Sequence, residues 1–305
     1  MSSATADAAR KRSERLAALP MEVSGRSRFL SGTFPSIADV WRRRELLGLL
    51  VRRELRARYK NSSLGIVWSL IKPLAQLLIY YFAIGQILGA ARLIPSFAIF
   101  VFIGLIAWTL FTEMVTNGTT SIVNNGGLIK KVSLPREIFP LAAVGGALVN
   151  LGIQFIVLLG AMLVVGEFPL TGRVLWLIPS LLLLVVFGAA LAILLAAVNV
   201  YLRDFEHLIE VVLIVLFWAS PIVYSFSFLD SLQLGWLREL YLANPVTLAV
   251  LGMQKALWVA GSDNAANWPE GLEVRMLVAL LISTLFLWLA HRVFGRLQGN
   301  FAQEL

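Results

Sequence analysis

The chain is 305 residues long, 58% hydrophobic and only 14% charged, with a mean hydropathy of +0.79; a soluble domain carries about 25% charged residues, so water is not its main solvent. It has no cysteine and two histidines, His207 and His291, which excludes a disulfide framework or a thiolate metal site. The net charge of +8 would suggest nucleic acid in a soluble protein, but much of it lies ahead of the first apolar run, so it speaks for membrane orientation and no nucleic-acid partner is expected.

In chain order, residues 1–35 are polar, Ala/Arg/Ser-rich and aperiodic, the composition of a flexible cytoplasmic tail. They hold no apolar stretch long enough for a signal peptide, so an uncleaved, cytoplasmic N-terminus is expected. Residues 36–60 place Val40, Leu47, Leu50, Val51 and Leu55 on one helical face against an arginine-rich one, the pattern of an amphipathic helix lying on the membrane surface; a solvated helix is the other reading. A span needs about 20 apolar residues, and six such runs follow within a membrane domain at 61–295: 64–88, 97–115, 138–165, 174–200, 208–226 and 274–294. The stretch 227–273 is too long for a turn and only partly polar; 229–242 and 247–259 read as short external re-entrant helices. Residues 296–305 read as a second cytoplasmic tail. Lys130, Lys131, Arg136, Arg203, Arg292 and Arg296 then share the side of the basic N-terminus, against Arg92, Arg173, Arg238, Lys255 and Arg275 opposite. This asymmetry predicts an all-α, six-span, multi-pass protein with both termini cytoplasmic.

No enzyme pattern is present: no phosphate loop, no nucleophile elbow, no His-Glu-x-x-His pair. No catalytic residue and no metal ligand is expected, and any ATP must be bound by another chain. Gly85 and Gly89 form a small-x-x-x-small spacing suited to close helix packing. Lys72, Glu113 and Glu210 lie toward span ends, where they can anchor at the interface. Rings gather on three spans: Tyr80, Tyr81 and Phe82 in the first, Trp108 and Phe111 in the second, and Phe217, Trp218 and Tyr224 in the fifth. Sugars stack on such rings, although an interfacial belt and core packing use the same residues.

Residues 50–74, LVRRELRARYKNSSLGIVWSLIKPL, resemble the segment leading into the first span of type-2 ABC export permeases of the O-antigen, capsule and teichoic-acid branch. The likeness continues in order through KVSLPREIFP at 131–140, YLRDFEHL at 201–208, WASPIVY at 218–224 and NPVTL at 244–248. It implies a plasma (inner) membrane homodimer with two copies of a separate ATP-binding subunit, which would hold ATP and Mg; this chain itself carries no cofactor. It also implies contact with that subunit through Trp41 and the 119–134 loop with Asn124, Asn125, Leu128, Lys130 and Lys131. The ring-bearing first and fifth spans of both copies would line the passage, and Arg52, Arg53, Arg56, Arg58 and Lys60 are candidates for capturing a lipid pyrophosphate. Against that capture stands the ordinary positive-inside signal and attraction to anionic membrane lipids. The Ala/Arg-rich tail resembles actinobacterial relatives that export lipid-linked cell-wall galactan; O-antigen-like, teichoic and capsular polymers remain open. Two other classes stand beside it. A polyprenyl-linked glycosyltransferase would need paired acids near an external loop, which Glu167, Asp230 and Asp263 do not form; a permease for small lipids or drugs fits the same span layout.

Overall fold

The computed structural model describes residues 42, 44–59, 67–131, 134–231, 234–261, 263–264 and 267–305, and among them there is helix and no strand. The first helix, α1 (Arg44–Tyr59), turns Leu46, Leu47, Leu50 and Val51 inward. That stripe packs on α4 (Ile138–Val165). Gly145 permits the approach, because a Cβ there would lie 2.7 Å from the Val51 side chain.

The first span is α2 (Trp68–Tyr80) continued by a π-helical segment, Tyr81–Ile87. It ends at Gly89, whose φ of 78° is a conformation glycine adopts without strain. Of the Gly85/Gly89 pair, Gly85 makes room for Phe97 of the next span, and Gly89 is a turn.

α3 (Phe97–Asn124) is the buried centre. It runs nine residues past the expected end at Val115, through a Thr/Ser/Asn/Gly-rich stretch that reads as loop. The hydroxyls explain this: Thr112, Thr116, Thr119 and Thr120 donate to carbonyls four residues back and Ser121 to one three back, so the polar groups are satisfied inside the helix itself. Glu113 consequently sits mid-helix rather than near its end, accepting a 2.8 Å hydrogen bond from Asn150 Nδ2 of α4.

A 3₁₀ turn at Gly172–Trp176 leads into α5 (Leu177–Tyr201), which packs along α3 where Gly118 faces Ala192 and Gly188 faces Met114. The segment 208–226 does not form one span. Its helix, α6 (Phe205–Trp218), has 14 residues and rises about 21 Å, short of a hydrocarbon core of about 30 Å. Among the described residues five helical segments are long and apolar enough to cross a membrane.

After α6 the chain turns at Ser220-Pro221, passes a helical stretch at Phe226–Ser231 and α7 (Gly235–Leu242), and re-enters as α8 (Pro245–Leu257). Asn244 caps α8 by accepting from the Val246 N–H, with Pro245 at the first helical position. α8 is buried against α3 and α5 and satisfies the carbonyls freed by the break: Thr247 Oγ1 donates to Ala219 O at 3.2 Å and Gln254 Nε2 to Pro221 O at 2.7 Å. Irregular backbone at membrane depth is tolerated on this condition. Gly104 lets the turn lie against α3.

The last span, α9 (Leu272–Leu297), packs on α5. In the C-terminal segment, expected as a tail, two aromatic contacts reach the bundle. Phe301 is fully buried beside Phe294, and Tyr201 O–H donates to Leu297 O at 2.7 Å. Glu137, itself buried, faces His291 Nε2 at 3.9 Å and accepts from Gln298 at 3.5 Å, tying the start of α4 to the end of α9. At the other end of the bundle the loops are joined by Ser96–Glu167 and Arg173–Asp263 contacts, a two-pronged Arg275–Glu239 pair at 2.8 and 3.0 Å, and Lys255–Glu273 at 3.6 Å.

Candidate functional site

Trp108 and Phe111, three residues apart, share one face of α3, and the ends of α2 and α6 bring Tyr80 and Phe217 to it. Tyr80 stacks on Phe217 at 5.8 Å between ring centroids; Trp108 meets Phe217 edge-on at 5.6 Å and Phe111 at 5.7 Å. Phe217 also meets Trp218 edge-on at 5.5 Å, and Tyr81 meets Phe82 at 5.6 Å. Each such pair contributes about 0.5–1.5 kcal/mol beyond its buried area. Tyr80, Trp108, Phe111, Phe217 and Trp218 thus form a seam joining α2, α3 and α6, and the Tyr81–Phe82 pair follows Tyr80 in the π-helical segment.

These rings are open at two places. Phe82 is 58% exposed and Trp218 is 55% exposed, while Tyr80, Tyr81 and Trp108 are half-buried and Phe217 is buried. Phe111 is fully buried and stacks on Phe187 at 5.8 Å with parallel planes, so it packs in the core of the chain. Tyr224 is half-buried; its O–H donates to Trp218 O at 2.6 Å and its ring faces Tyr241 at 6.5 Å, which makes it a support for Trp218. Phe187 and Phe286, 6.1 Å apart, extend the ring row toward α9. Sequence reading did not single them out: Phe187 stands among Val and Gly, and Phe286 shares its span with Trp288 and Phe294 without forming a run of adjacent rings. The π-helical segment begins at Tyr81, beside the seam, and such wide turns frequently mark functional sites.

A second group lies at the end carrying α1. Arg53 donates to Asn125 Oδ1, and Asn125 Nδ2 donates to Ser121 O at 2.7 Å, closing the end of α3. A residue expected to bind pyrophosphate therefore holds one expected to couple to an ATPase. Arg52, Arg56, Asn124, Lys130 and Lys131 are exposed, and Leu128 packs half-buried on the cluster around Ile122, Ile129 and Phe301. Arg58 lies on α1; Trp41 and Lys60 lie outside the described residues. Leu305 packs near Gly126, so the C-terminus underlies this turn. Arg136 sits 5.6 Å over the Phe301 ring; burial pushes its pKa down, and neighbouring Glu137 and Tyr201 push it back up. Among the described residues no three His, Asp or Glu side chains converge to hold a metal ion.

Residues 45–258 match the family model described as ABC-2 type transporter. The chain is 30% identical over 270 residues to the O-antigen export system permease protein RfbA of Myxococcus xanthus, covering 88% of this chain and 98% of that protein. It is 27% identical over 266 residues to the RfbA permease of Klebsiella pneumoniae, covering 86% and 95%. It is 24% identical over 245 residues to the polysialic acid transport protein KpsM of Escherichia coli, covering 79% and 90%.

Proposed function

The chain belongs to the ABC-2 type transporter family, and from that membership we propose that it is the permease of an ATP-driven exporter moving a lipid-linked polysaccharide across the plasma membrane. The observation that carries the reading is the ring seam, with Phe82 and Trp218 open on helices that flank α3. A hydrophilic polymer needs a continuous passage, and successive rings offer it many weak, sequence-tolerant contacts that do not trap it. The names of the relatives, O-antigen export and polysialic acid transport, support a glycan cargo.

Two copies of the chain, each presenting α2 and α6, would enclose the passage. A separate subunit would bind ATP and Mg and act on α1 and the Asn124–Lys131 turn from the cytoplasm, where both termini would lie. The Arg53–Asn125 hydrogen bond supports that route, because it joins α1 directly to the end of α3. Exposed Arg52 and Arg56 suit the anionic pyrophosphate of a lipid carrier. The cargo read from the basic, Ala-rich tail is cell-wall galactan, with an O-antigen-like glycan as the second reading favoured by the relatives.

The test is ATP-dependent export of defined lipid-linked glycans by vesicles holding this chain and its cognate ATPase, comparing wild type with Phe82→Ala and Trp218→Ala. Galactan movement lost in both variants, with assembly intact, supports cargo and path together. Movement of small lipids that is indifferent to glycan and rings would instead make the protein a lipid or drug exporter.

A further inference from the structure

At the end of the bundle away from α1, the starts of α5 and α9 leave a groove of about 520 Å³ between them. Trp176, Pro179, Met276, Leu277 and Leu280 form its walls and Glu273 stands at its rim. From Glu273 to Leu280 α9 descends about 10 Å, from the rim into the apolar layer. Lys255 of α8 places its ammonium 3.9 Å from the Trp176 ring centroid and 3.6 Å from Glu273 Oε1. Both residues it touches line the groove, so an apolar slot is headed by one cation and one anion side by side.

We infer that this groove holds one acyl chain of a zwitterionic phospholipid, with the phosphate on Lys255 and the headgroup ammonium toward Glu273. Charge complementarity selects the headgroup. At 3.6 Å the two groups are farther apart than a good N–H···O hydrogen bond, so each retains capacity for a second partner. A headgroup carrying adjacent opposite charges answers both, whereas a purely anionic one would face Glu273. Trp176 stacks under the ammonium and fixes its position, as aromatic rings do for interfacial cations. The tail itself confers little selectivity, since packing on Leu and Met replaces equivalent packing on bulk lipid. Discrimination therefore resides in the headgroup pair and occupancy in the shape of the slot. Lipid binding here depends on membrane embedding and not on which cargo is exported.

The experiment uses the full chain in nanodiscs of mixed phosphatidylethanolamine and phosphatidylglycerol, with a trace of either lipid bearing a photoactivatable group in its acyl chain. Cross-linked peptides are mapped by mass spectrometry. The phosphatidylethanolamine probe is expected to label 175–179 and 276–280 about fivefold over the phosphatidylglycerol probe, the scale of one charge contact near a membrane surface, here the contact with Glu273 that only the ammonium-bearing headgroup makes. Leu277→Trp, a change at an exposed groove wall, should remove groove labelling while leaving the exposed face of α4 at Ile156 and Val164 labelled as before. Glu273→Gln should erase the headgroup preference, and Lys255→Gln should weaken labelling by both probes. Groove labelling no stronger than that of the α4 face, equal labelling by the two probes in wild type, or displacement by a polyprenyl phosphate in preference to phospholipid would each overturn the assignment. None of these readouts measures transport, so failure here and failure of the export assay are separate results.

Discussion

Replacing Gly118 by alanine tests the central helix pair directly. A Cβ built at Gly118 lies 2.5 Å from Ala192 Cβ and 2.9 Å from Ala192 Cα, whereas carbon atoms rest at about 3.5–4.0 Å. Neither obstructing atom can rotate away, because both are fixed to the backbone of α5, so α3 and α5 must part by about 1 Å or more. Overpacking of this kind costs about 1–3 kcal/mol, offset by up to ~1 kcal/mol from the better helix propensity of alanine. The expected net loss is about 1–2 kcal/mol. Gly146→Ala on α4 supplies the opposite sign: its Cβ meets nothing within 4 Å, so only the propensity gain applies. The assay is thermal unfolding of the purified chain in nanodiscs, at one scan rate, followed by the fluorescence of its nine tryptophans. Gly118→Ala should melt lower than wild type, Gly146→Ala no lower, and Gly118→Ala with Ala192→Gly should recover most of the loss. If Gly118→Ala melts with Gly146→Ala, or Ala192→Gly brings no recovery, then α3 and α5 do not meet backbone to backbone at Gly118.

Three further outcomes follow from single contacts. Arg53→Ala and Asn125→Ala should each lower export, and the double variant should lower it no further than Asn125→Ala alone, because Arg53 acts through Asn125, which also bonds Ser121 O; losses that multiply would show independent roles. Asn244→Ala removes the α8 cap and should cost about 0.5–2 kcal/mol of melting stability, largely restored by Asn244→Ser; an unaffected melt would mean that burial alone holds α8. The hydrogen-bonded Arg275 fork holds the Glu239 carboxyl below its ordinary pKa. A depressed carboxylate contributes stability above its unfolded pKa and loses it as pH falls through the folded value. The melting difference between wild type and Glu239→Gln should therefore be present at neutral pH and close in acid, and a difference that is constant down to pH ~3 would sink the assignment.

Much of the fold is legible in the sequence because apolar length and charge asymmetry act locally. The spans beginning at Phe97 and Ile138 start where the apolar runs start, and the 247–259 helix lies within three residues of α8 at both ends. The departures share a physical cause. At 116–124 the hydroxyls that make the stretch look like a loop bond backward into the helix, and α3 continues. At 219–226 an apolar run hides a break at Ser220-Pro221, and what makes the break tolerable, Thr247 and Gln254, lies 28 and 33 residues away from the carbonyls it serves. Polar side chains buried in an apolar setting are placed by the backbone groups they must satisfy, and those partners are not neighbours in sequence.

The same distinction separates the rings. Five of the residues singled out from sequence, Tyr80, Trp108, Phe111, Phe217 and Trp218, are joined ring to ring, because aromatic clustering on three helices is visible residue by residue. Burial is not visible in that way: Phe111, one helical turn from Trp108, is enclosed by Phe187 from α5. The seam therefore has an inner part that holds α3 to α5 and an outer part, Trp218, that stands more than half exposed. Tyr224 is bound to the outer part through the Trp218 carbonyl and rests on Tyr241 of the segment leading to α8. Thr247 of the re-entrant helix bonds the carbonyl of Ala219, the residue after Trp218, so the exposed end of the seam lies beside the break that ends α6.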